Sequence, residues 1–310
     1  MKVLLDTYGS DLGEAEIIRG GIDALKQIPD LHIVFFGSED LILNELKDAG
    51  ISDASYTVVG AKDFITNHDN PMEIFRGRND SSMAMALDHL KKDTEAAGLL
   101  SCGNTGALMV GAISRIGLKK GLSAPVLCSP VPSPFSNWAY LLDCGAHLTP
   151  SASDLVLFAR LGAEHYSKKF NVASPRVGLL SVGCEESKGN ELIIEAHKLL
   201  KESDLNFIGN VEGCDAQNGK CDVIVTDGLC GNIMIKCIES SGMTCADMLE
   251  KYLEGNDDPK LQGLLQEMRD NFHLTKYGGA FFLGIDRNII KMHGASGCDT
   301  VIACVKQLMA

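Results

Sequence analysis

The chain has 310 residues, 45% of them hydrophobic, which is ample for a large core in one domain or two closely packed ones. Its 28 Lys and Arg against 41 Asp and Glu give a net charge of −13. That balance argues against a general nucleic-acid binder, while leaving room for a local basic pocket for phosphate. The 32 glycines fall in short motifs among only 9 prolines, the mark of tight loops rather than a disordered linker.

In chain order, MKVLLD reads as a strand ending in an acid, and Glu14 to Gln27 has helical periodicity through Ile17, Ile18, Ile22 and Leu25. Leu31 to Gly37 is a second strand, Leu41 to Ala49 a helix, and Tyr56 to Gly60 a third strand. This βαβαβ rhythm predicts a largely parallel sheet covered on both faces. Ser82 to Lys92 is helical, Ala97 to Leu100 a short strand, and Gly106 to Ile116 a helix of small residues. APVLCS and AYLLDCG are strands separated by the connection Pro130 to Pro134. Then follow a helix over Asp154 to Lys169, the strand RVGLLSVG, a helix over Asn190 to Lys201, and the strands NFIGNV and CDVIVTDG. A helix begins at Asn232, with the polar stretch Glu254 to Lys260 interrupting the helices before Phe272. The apolar run AFFLGI and a last helix from about Thr300 close the chain. One domain over 1–310 is expected, with a helical excursion near 238–275.

The start of the chain reaches an acid by Asp6, leaving no apolar signal region. The uncharged stretch Ala96 to Ser114 carries four glycines and reads as strand, turn and helix rather than a membrane span. Eleven cysteines without a secretory signal are expected as free thiols in a reducing compartment. Their spacings match no close-paired zinc pattern.

Ligands of open parallel sheets bind outside the carboxyl ends of the strands. Polar, glycine-rich signatures fall there repeatedly: DTYGSD, SCGNTGA, DCGAH, VGCEESKGN and TDGLCGN. Five such endings together predict a convergent site. In SCGNTGALMVGA, Gly103 and Gly106 permit close backbone approach, and Asn104 and Thr105 can add hydrogen bonds, so the turn is either an anion nest or a plain strand-to-helix turn. In EESKGNE, Lys188 is a cation beside Gly189, Glu185 and Glu186 can hold it, and Asn190 is placed to cap the next helix. The alternative is a surface loop with a solvated lysine. In TDGLCGNIMIK, Asp227 and Gly228 end a strand, Gly231 turns, and Asn232 opens a helix; Lys236 serves the ligand or only the surface.

Arg76 and Arg78 of FRGRNDSSM either clamp phosphate or make surface salt bridges, and Asp80 or Ser81 can cap the helix that follows. KMHGASG, from Lys291 to Gly297, can form a further anion-binding turn, with His293 as an acid–base or as a structural histidine. No P-loop, dinucleotide fingerprint, GxSxG elbow or HExxH occurs. Asp6, Asp11, Asp143 and Asp227 stand at strand ends; more simply than binding metal, they cap helices or orient loops. Neither metal nor cofactor is expected.

These loops, in this order, resemble the bacterial phosphate acyltransferase family of phospholipid synthesis, PlsX. The matching motifs are SCGNTGALMVG (101–111), LLDCGA (141–146), PRVGLLSVGCEESKGNE (175–191), NFIGNVEG (206–213), DVIVTDGLCGNIMIK (222–236) and YGGAFFLGI (277–285), with NDSSM (79–83). The resemblance covers nearly the whole chain. It implies a three-layer α/β/α core with a Rossmann-like sheet, related to the isocitrate/isopropylmalate dehydrogenase fold. It also implies transfer of a fatty acyl group from acyl carrier protein to inorganic phosphate, a homodimer, and a cytoplasmic location with peripheral contact at the inner membrane face as an option.

Under that resemblance Asn104, Lys188, Asn190, Asp227 and Asn232 are the expected catalytic residues. The expected substrate-binding positions are Asp6, Gly9, Asp11, Ser81, Gly103, Thr105, Gly106, Asp143, Gly145, Glu186, Gly189, Gly228, Gly231 and His293. Lys188 and the Gly103–Gly106 loop would hold phosphate, the asparagines would donate to the oxyanion, and Asp6 and Asp227 would orient donors. The acidic carrier would dock on lysines such as Lys119, Lys120, Lys168 and Lys169. Met248, Leu249, Leu261, Leu264, Leu265 and Met268 would line an acyl groove, form a dimer contact, touch a membrane, or pack as core.

The chain departs from the family pattern in places. DTYGSD stands for DAMGGD, with Ser10 at a usual glycine; DCGAH stands for DVGAN, with His147 at an asparagine; VGCEESKGN stands for IGTEExKGN; and Phe281 replaces a proline. Four loops carry a cysteine (Cys102, Cys144, Cys184, Cys230), inert and buried or, alternatively, a thioester nucleophile or a metal-binding cluster. The rival functions are a short-chain phosphotransacylase using acyl-coenzyme A or another thioester, a decarboxylating dehydrogenase on a similar fold, and a non-enzymatic paralogue.

Overall fold

A computed structural model of the chain describes residues 1–131, 138–254, 258–273 and 278–309. Pro132 to Pro134 of the expected connection, 255–257 of the polar stretch, and Tyr277 of YGGAFFLGI lie outside the described residues. The first elements are β1 (Lys2–Asp6), α1 (Glu14–Gln27), β2 (His32–Gly37), α2 (Glu39–Asp48), β3 (Tyr56–Gly60), α3 (Glu73–Arg76), α4 (Ser82–Lys92), β4 (Ala96–Ser101) and α5 (Thr105–Gly111), which continues as one π-helical turn, Ala112–Ile116. Then come β5 (Val126–Val131), β6 (Ala139–Leu142), α6 (Ala152–Phe170), β7 (Val177–Leu180), α7 (Glu191–Lys201), β8 (Phe207–Val211), β9 (Val223–Val225), α8 (Gly228–Tyr252) and α9 (Pro259–Phe272). The last are β10 (Ala280–Leu283), β11 (Ile289–Lys291) and α10 (Cys298–Met309).

The chain folds as two compact units, Met1–Pro125 with Tyr277–Ala310, and Val126–Lys276. In the first, the strand order is β3-β2-β1-β4-β11-β10, parallel except that β10 runs against β11. Alternation of side chains along each strand sorts them between two helical layers. Leu5 and Phe35 meet α1, where a methyl on Gly21 would come within 2.9 Å of both side chains. The neighbouring positions turn the other way: Asp6 bonds Ser82 of α4, and Phe36 packs edge-on against His89 of α4. The strand β11 was not expected, because three residues, IIK, are too few to show periodicity.

In the second unit the order is β5-β6-β9-β7-β8. Here β5 and β6 are antiparallel, against the expected parallel rhythm. The seven residues between them leave no room for a crossover helix, which takes a dozen or more. β5 also runs on to Val131, taking Pro130 out of the expected connection. Gly162 lets α6 sit close on Leu142 and Val223, while Leu141 and Ile224 face the other way, into a core shared with Ile235 of α8. α8 opens at Gly228 rather than at Asn232, because Asp227 supplies its N-cap. α8 and α9 pair around Ala246, Leu253 and Leu265, joined by Leu249, Leu261 and Met268. Met248 and Leu264 are exposed. Among the described residues no helix is long and apolar enough to cross a membrane.

Candidate functional site

In the first unit the loops after β1, β4 and β11 meet at the carboxyl ends of their strands. Gly9 has φ +100°, and a Cβ there would stand 2.5 Å from the Cα of Gly103, so the loops 7–11 and 102–104 touch backbone to backbone. Ser10 Oγ donates to the Ser296 carbonyl (2.8 Å), and Asp11 N to the Gly294 carbonyl (2.7 Å), which ties KMHGASG to the same place. The serine at a family glycine thus has a structural job. His293 is exposed, and its Nδ1 accepts from Ala295 N at 3.2 Å, as in a local turn.

Asp6 is buried below these loops. Its oxygens accept from Ser82 Oγ (2.6 Å) and Ser101 Oγ (2.7 Å). Burial pushes its carboxyl up to about 6, against the opposing pull of the two hydroxyls. Asp6 pairs in register with Ser101, and Ser101 with Lys291, so the three form a row across β1, β4 and β11. Ser101 and Lys291 open the motifs SCGNTGA and KMHGASG, although the motifs alone assign neither side chain a role of its own. Lys291 Nζ donates to the carbonyls of Cys102 (3.2 Å) and Met292. Burial pulls this ammonium below the ordinary lysine range, opposed by Cys102, Asp11 and Asp6 nearby.

Asn104 is the N-cap of α5. Its Oδ1 accepts from Ala107 N (3.0 Å), and its Nδ2 donates to the carbonyls of Thr66 (3.1 Å) and Asp69 (3.4 Å). Both ends of the amide are therefore engaged by protein. Thr105 and Gly106 are half-buried, and Pro71 packs where a Gly106 side chain would go. Ser81 Oγ donates to the Arg78 carbonyl (2.7 Å). Arg78 is a hub of ion pairs with Asp63, Glu73 and Asp69, the structural alternative of its two readings, whereas Arg76 is exposed.

In the second unit DCGAH and TDGLCGN interlock. Asp143 is fully buried and accepts four backbone N–H groups: Leu127 (3.2 Å) and Gly145 (3.3 Å) on Oδ1, and Ala146 (2.9 Å) and His147 (2.5 Å) on Oδ2. His147 Nδ1 also lies 3.4 Å from Oδ2. Gly228 N donates to the His147 carbonyl (2.7 Å), and a Cβ on Gly231 would fall 1.8 Å from the Asp143 carbonyl oxygen. Asp227 Oδ1 caps α8 through Cys230 N (2.9 Å). Asn232 is half-buried beside Gly145, about 3.7–3.9 Å from where a side chain would begin there.

On the neighbouring strand β7 the loop VGCEESKGN ends at Gly189, φ +110°, and at Asn190, whose Oδ1 caps α7 through Ile193 N (3.0 Å). Asn190 takes the capping role expected of it. Glu186 pairs with Lys201 (2.6 Å) instead of Lys188. Lys188 is exposed, and its backbone N donates to the Glu185 carbonyl (3.0 Å). The Glu185 carbonyl also accepts Asn210 Nδ2 (2.9 Å), and Asn210 Oδ1 in turn meets buried His197 Nδ1 at 2.8 Å.

All eleven cysteines are free. Of the loop thiols, burial pushes Cys102 up to about 12, Cys230 up to about 11, and Cys144 higher still, so each is held as a poor nucleophile. Among the described residues no three His, Cys, Asp or Glu side chains group to hold a metal ion.

A family model described as fatty acid synthesis protein matches residues 1–309. The chain belongs to that family. Among its relatives, the phosphate acyltransferase of Clostridium novyi (strain NT) is 38% identical over 99% of this chain and 93% of its own length. That of Thermoanaerobacter pseudethanolicus is 38% identical over 99% and 92%. Such full-length relatives make the chain a transferase enzyme, which removes the non-enzymatic paralogue. Among solved structures, the phosphotransacetylase of Streptococcus pyogenes shares its fold, with a TM-score of 0.68 at 17% identity over 100% of this chain and 94% of that one. The branched-chain phosphotransacylase of Enterococcus faecalis V583 gives 0.63 at 14% identity over 100% and 98%.

Proposed function

We propose that the chain transfers a fatty acyl group from an acyl carrier protein thioester to inorganic phosphate, giving acyl-phosphate. A phosphate oxygen bonds to the thioester carbon, the C–S bond breaks, and the departing thiolate takes a proton from solvent. Phosphate, with a second pKa of about 6 to 7 by analogy with phosphoesters, is largely dianionic at neutral pH. A thiol pKa around 8.5 makes the leaving group fairly stable. The reaction then asks for positioning and electrostatics more than for a general base.

The observation that carries this reading is the engagement of the two buried aspartates. Asp6 has both oxygens on serine hydroxyls, and Asp143 has four N–H donors, so neither is free to act as nucleophile or base. Both suit the work of fixing loops. Asp227 does the same at α8. Lys188, exposed on its glycine-flanked turn, supplies charge for phosphate. Asn190 and Asn232 are the better oxyanion donors, because the Asn104 amide already serves the Thr66 and Asp69 carbonyls.

The family's description favours a fatty acyl donor. The carrier protein would dock on lysines; Lys119 and Lys120 are exposed, whereas Lys168 is paired with Glu164 at 2.5 Å. A cytoplasmic homodimer with peripheral membrane contact goes with the same reading. The rival donor is acyl-coenzyme A. Purified protein given phosphate with long-chain acyl carrier protein or acyl-coenzyme A, in parallel, is expected to form acyl-phosphate from the carrier substrate at lower concentration. Product from the coenzyme A ester alone would replace the carrier assignment.

A further inference from the structure

Lys291 is a cation at the strand ends of the first unit whose ammonium is bonded to carbonyls rather than to an acid. It stands at the last position of β11, in register with Ser101, which is itself in register with Asp6. Its Nζ reaches over the end of β4 to the Cys102 carbonyl and back to its own neighbour's carbonyl at Met292. Among the described residues no carboxylate forms an ion pair with it. The titratable groups around it are Asp6 at the end of β1, Asp11 in the loop after β1, and Cys102 in the loop after β4. A half-buried ammonium bonded to two carbonyls, with acids near it but none paired to it, is costly to keep, and such groups cluster at functional sites.

The Asp6 oxygens are held by Ser82 and Ser101, and Ser10 by the carbonyls of Ser296 and Gly294. A third ammonium N–H remains for a ligand, at the crossing of the glycine loops 7–11 and 102–104. The chemistry that fits is a compact oxyanion beside the crossing, where Gly9 and Gly103 add no side chain.

We propose that Lys291 binds inorganic phosphate at the carboxyl end of the first unit's sheet and orients it for acyl transfer. This rests on the phosphate acyl-transfer reading above, and within the KMHGASG turn it assigns the anion to Lys291. Phosphate would pair with the ammonium directly, so binding favours the ammonium form. Deprotonation at high pH removes the interaction, and because burial lowers the lysine, that loss comes at lower pH than for an exposed lysine.

The test compares wild type with K291Q, K291M and K291R. K291Q keeps a donor for the Cys102 and Met292 carbonyls and removes the charge, so it guards against a variant that simply fails to fold. The expected result is a KM for phosphate raised about a hundredfold in K291Q and K291M, with the thioester KM little changed. K291R should recover part of the loss and should no longer show the alkaline fall of kcat/KM for phosphate. Calorimetric titration with inorganic phosphate alone should show the same order of affinities. An unchanged phosphate KM in folded K291Q, or an alkaline limb that persists in K291R, would overturn the proposal. If wild type forms no acyl-phosphate from any thioester, the reaction reading fails. The phosphate titration then still decides on Lys291.

Discussion

The two units solve the same problem at their strand ends with different materials. In the first, buried Asp6 is held by side chains, Ser82 and Ser101, and stands in a row with the Lys291 ammonium. In the second, buried Asp143 is held by four backbone N–H groups. A carboxylate cradled by amides has its charge answered by the fold itself. One held by two hydroxyls does not: its carboxyl is pushed up to about 6, into the range where proteins work. The first unit therefore carries tunable charge, and the second carries a rigid turn on which α8 is mounted.

The largest effect that would sharpen this contrast concerns Asp6. Its folded pKa of about 6 lies above the ordinary 3.8, so the folded state binds the proton more tightly than the unfolded one. Relative to D6N, wild-type stability should be greatest below pH 4 and fall as pH rises through 6. A shift of about two units corresponds to about 3 kcal/mol. Denaturant melts of both proteins between pH 4 and 7 measure it. A stability difference that stays flat over that range would mean that the two hydroxyls answer the Asp6 charge in full.

Next comes the close packing in the second unit. Because a Gly231 side chain would meet the Asp143 carbonyl oxygen at 1.8 Å, backbone must move to admit it. G231A should cost about 2–3 kcal/mol and lower turnover. Retained stability and activity would mean that the interlock of α8 with DCGAH is loose. The smallest effect is expected at Asn190, whose N-cap bond to Ile193 is replaceable by water: N190A should lose about 1 kcal/mol, read from the shift in denaturation midpoint. A larger fall in activity than this implies would mark its free amide nitrogen as a substrate donor.

Local patterns were legible where the physics is local. The boundaries of α1, β3 and α4 follow from apolar periodicity and turn residues, and Asn190 was readable as a cap. TDGLCGN was harder, because Asp227 and Asn232 are both good capping residues five positions apart. Only the folded contacts, Asp227 capping Cys230 N and Gly228 bonding the His147 carbonyl, show that the helix starts at the first of them. The charged row was not legible at all. Asp6, Ser101 and Lys291 come from strands 95 and 190 residues apart, and only their register brings them together. The antiparallel turn from β5 to β6 was hidden for a similar reason, since apolar runs do not state their direction. Composition left Arg78 open between a phosphate clamp and salt bridges, and only the fold shows it paired with three acids from its own surroundings.

The central claim is that the chain cleaves a fatty acyl thioester with phosphate. Its most direct test is to incubate the protein with radiolabelled inorganic phosphate and long-chain acyl carrier protein, and to follow free thiol together with label in hydroxylamine-sensitive lipid. The account predicts that both appear in equal amounts and only when phosphate is present. Thiol release that proceeds without phosphate, or without labelled acyl-phosphate, would contradict it.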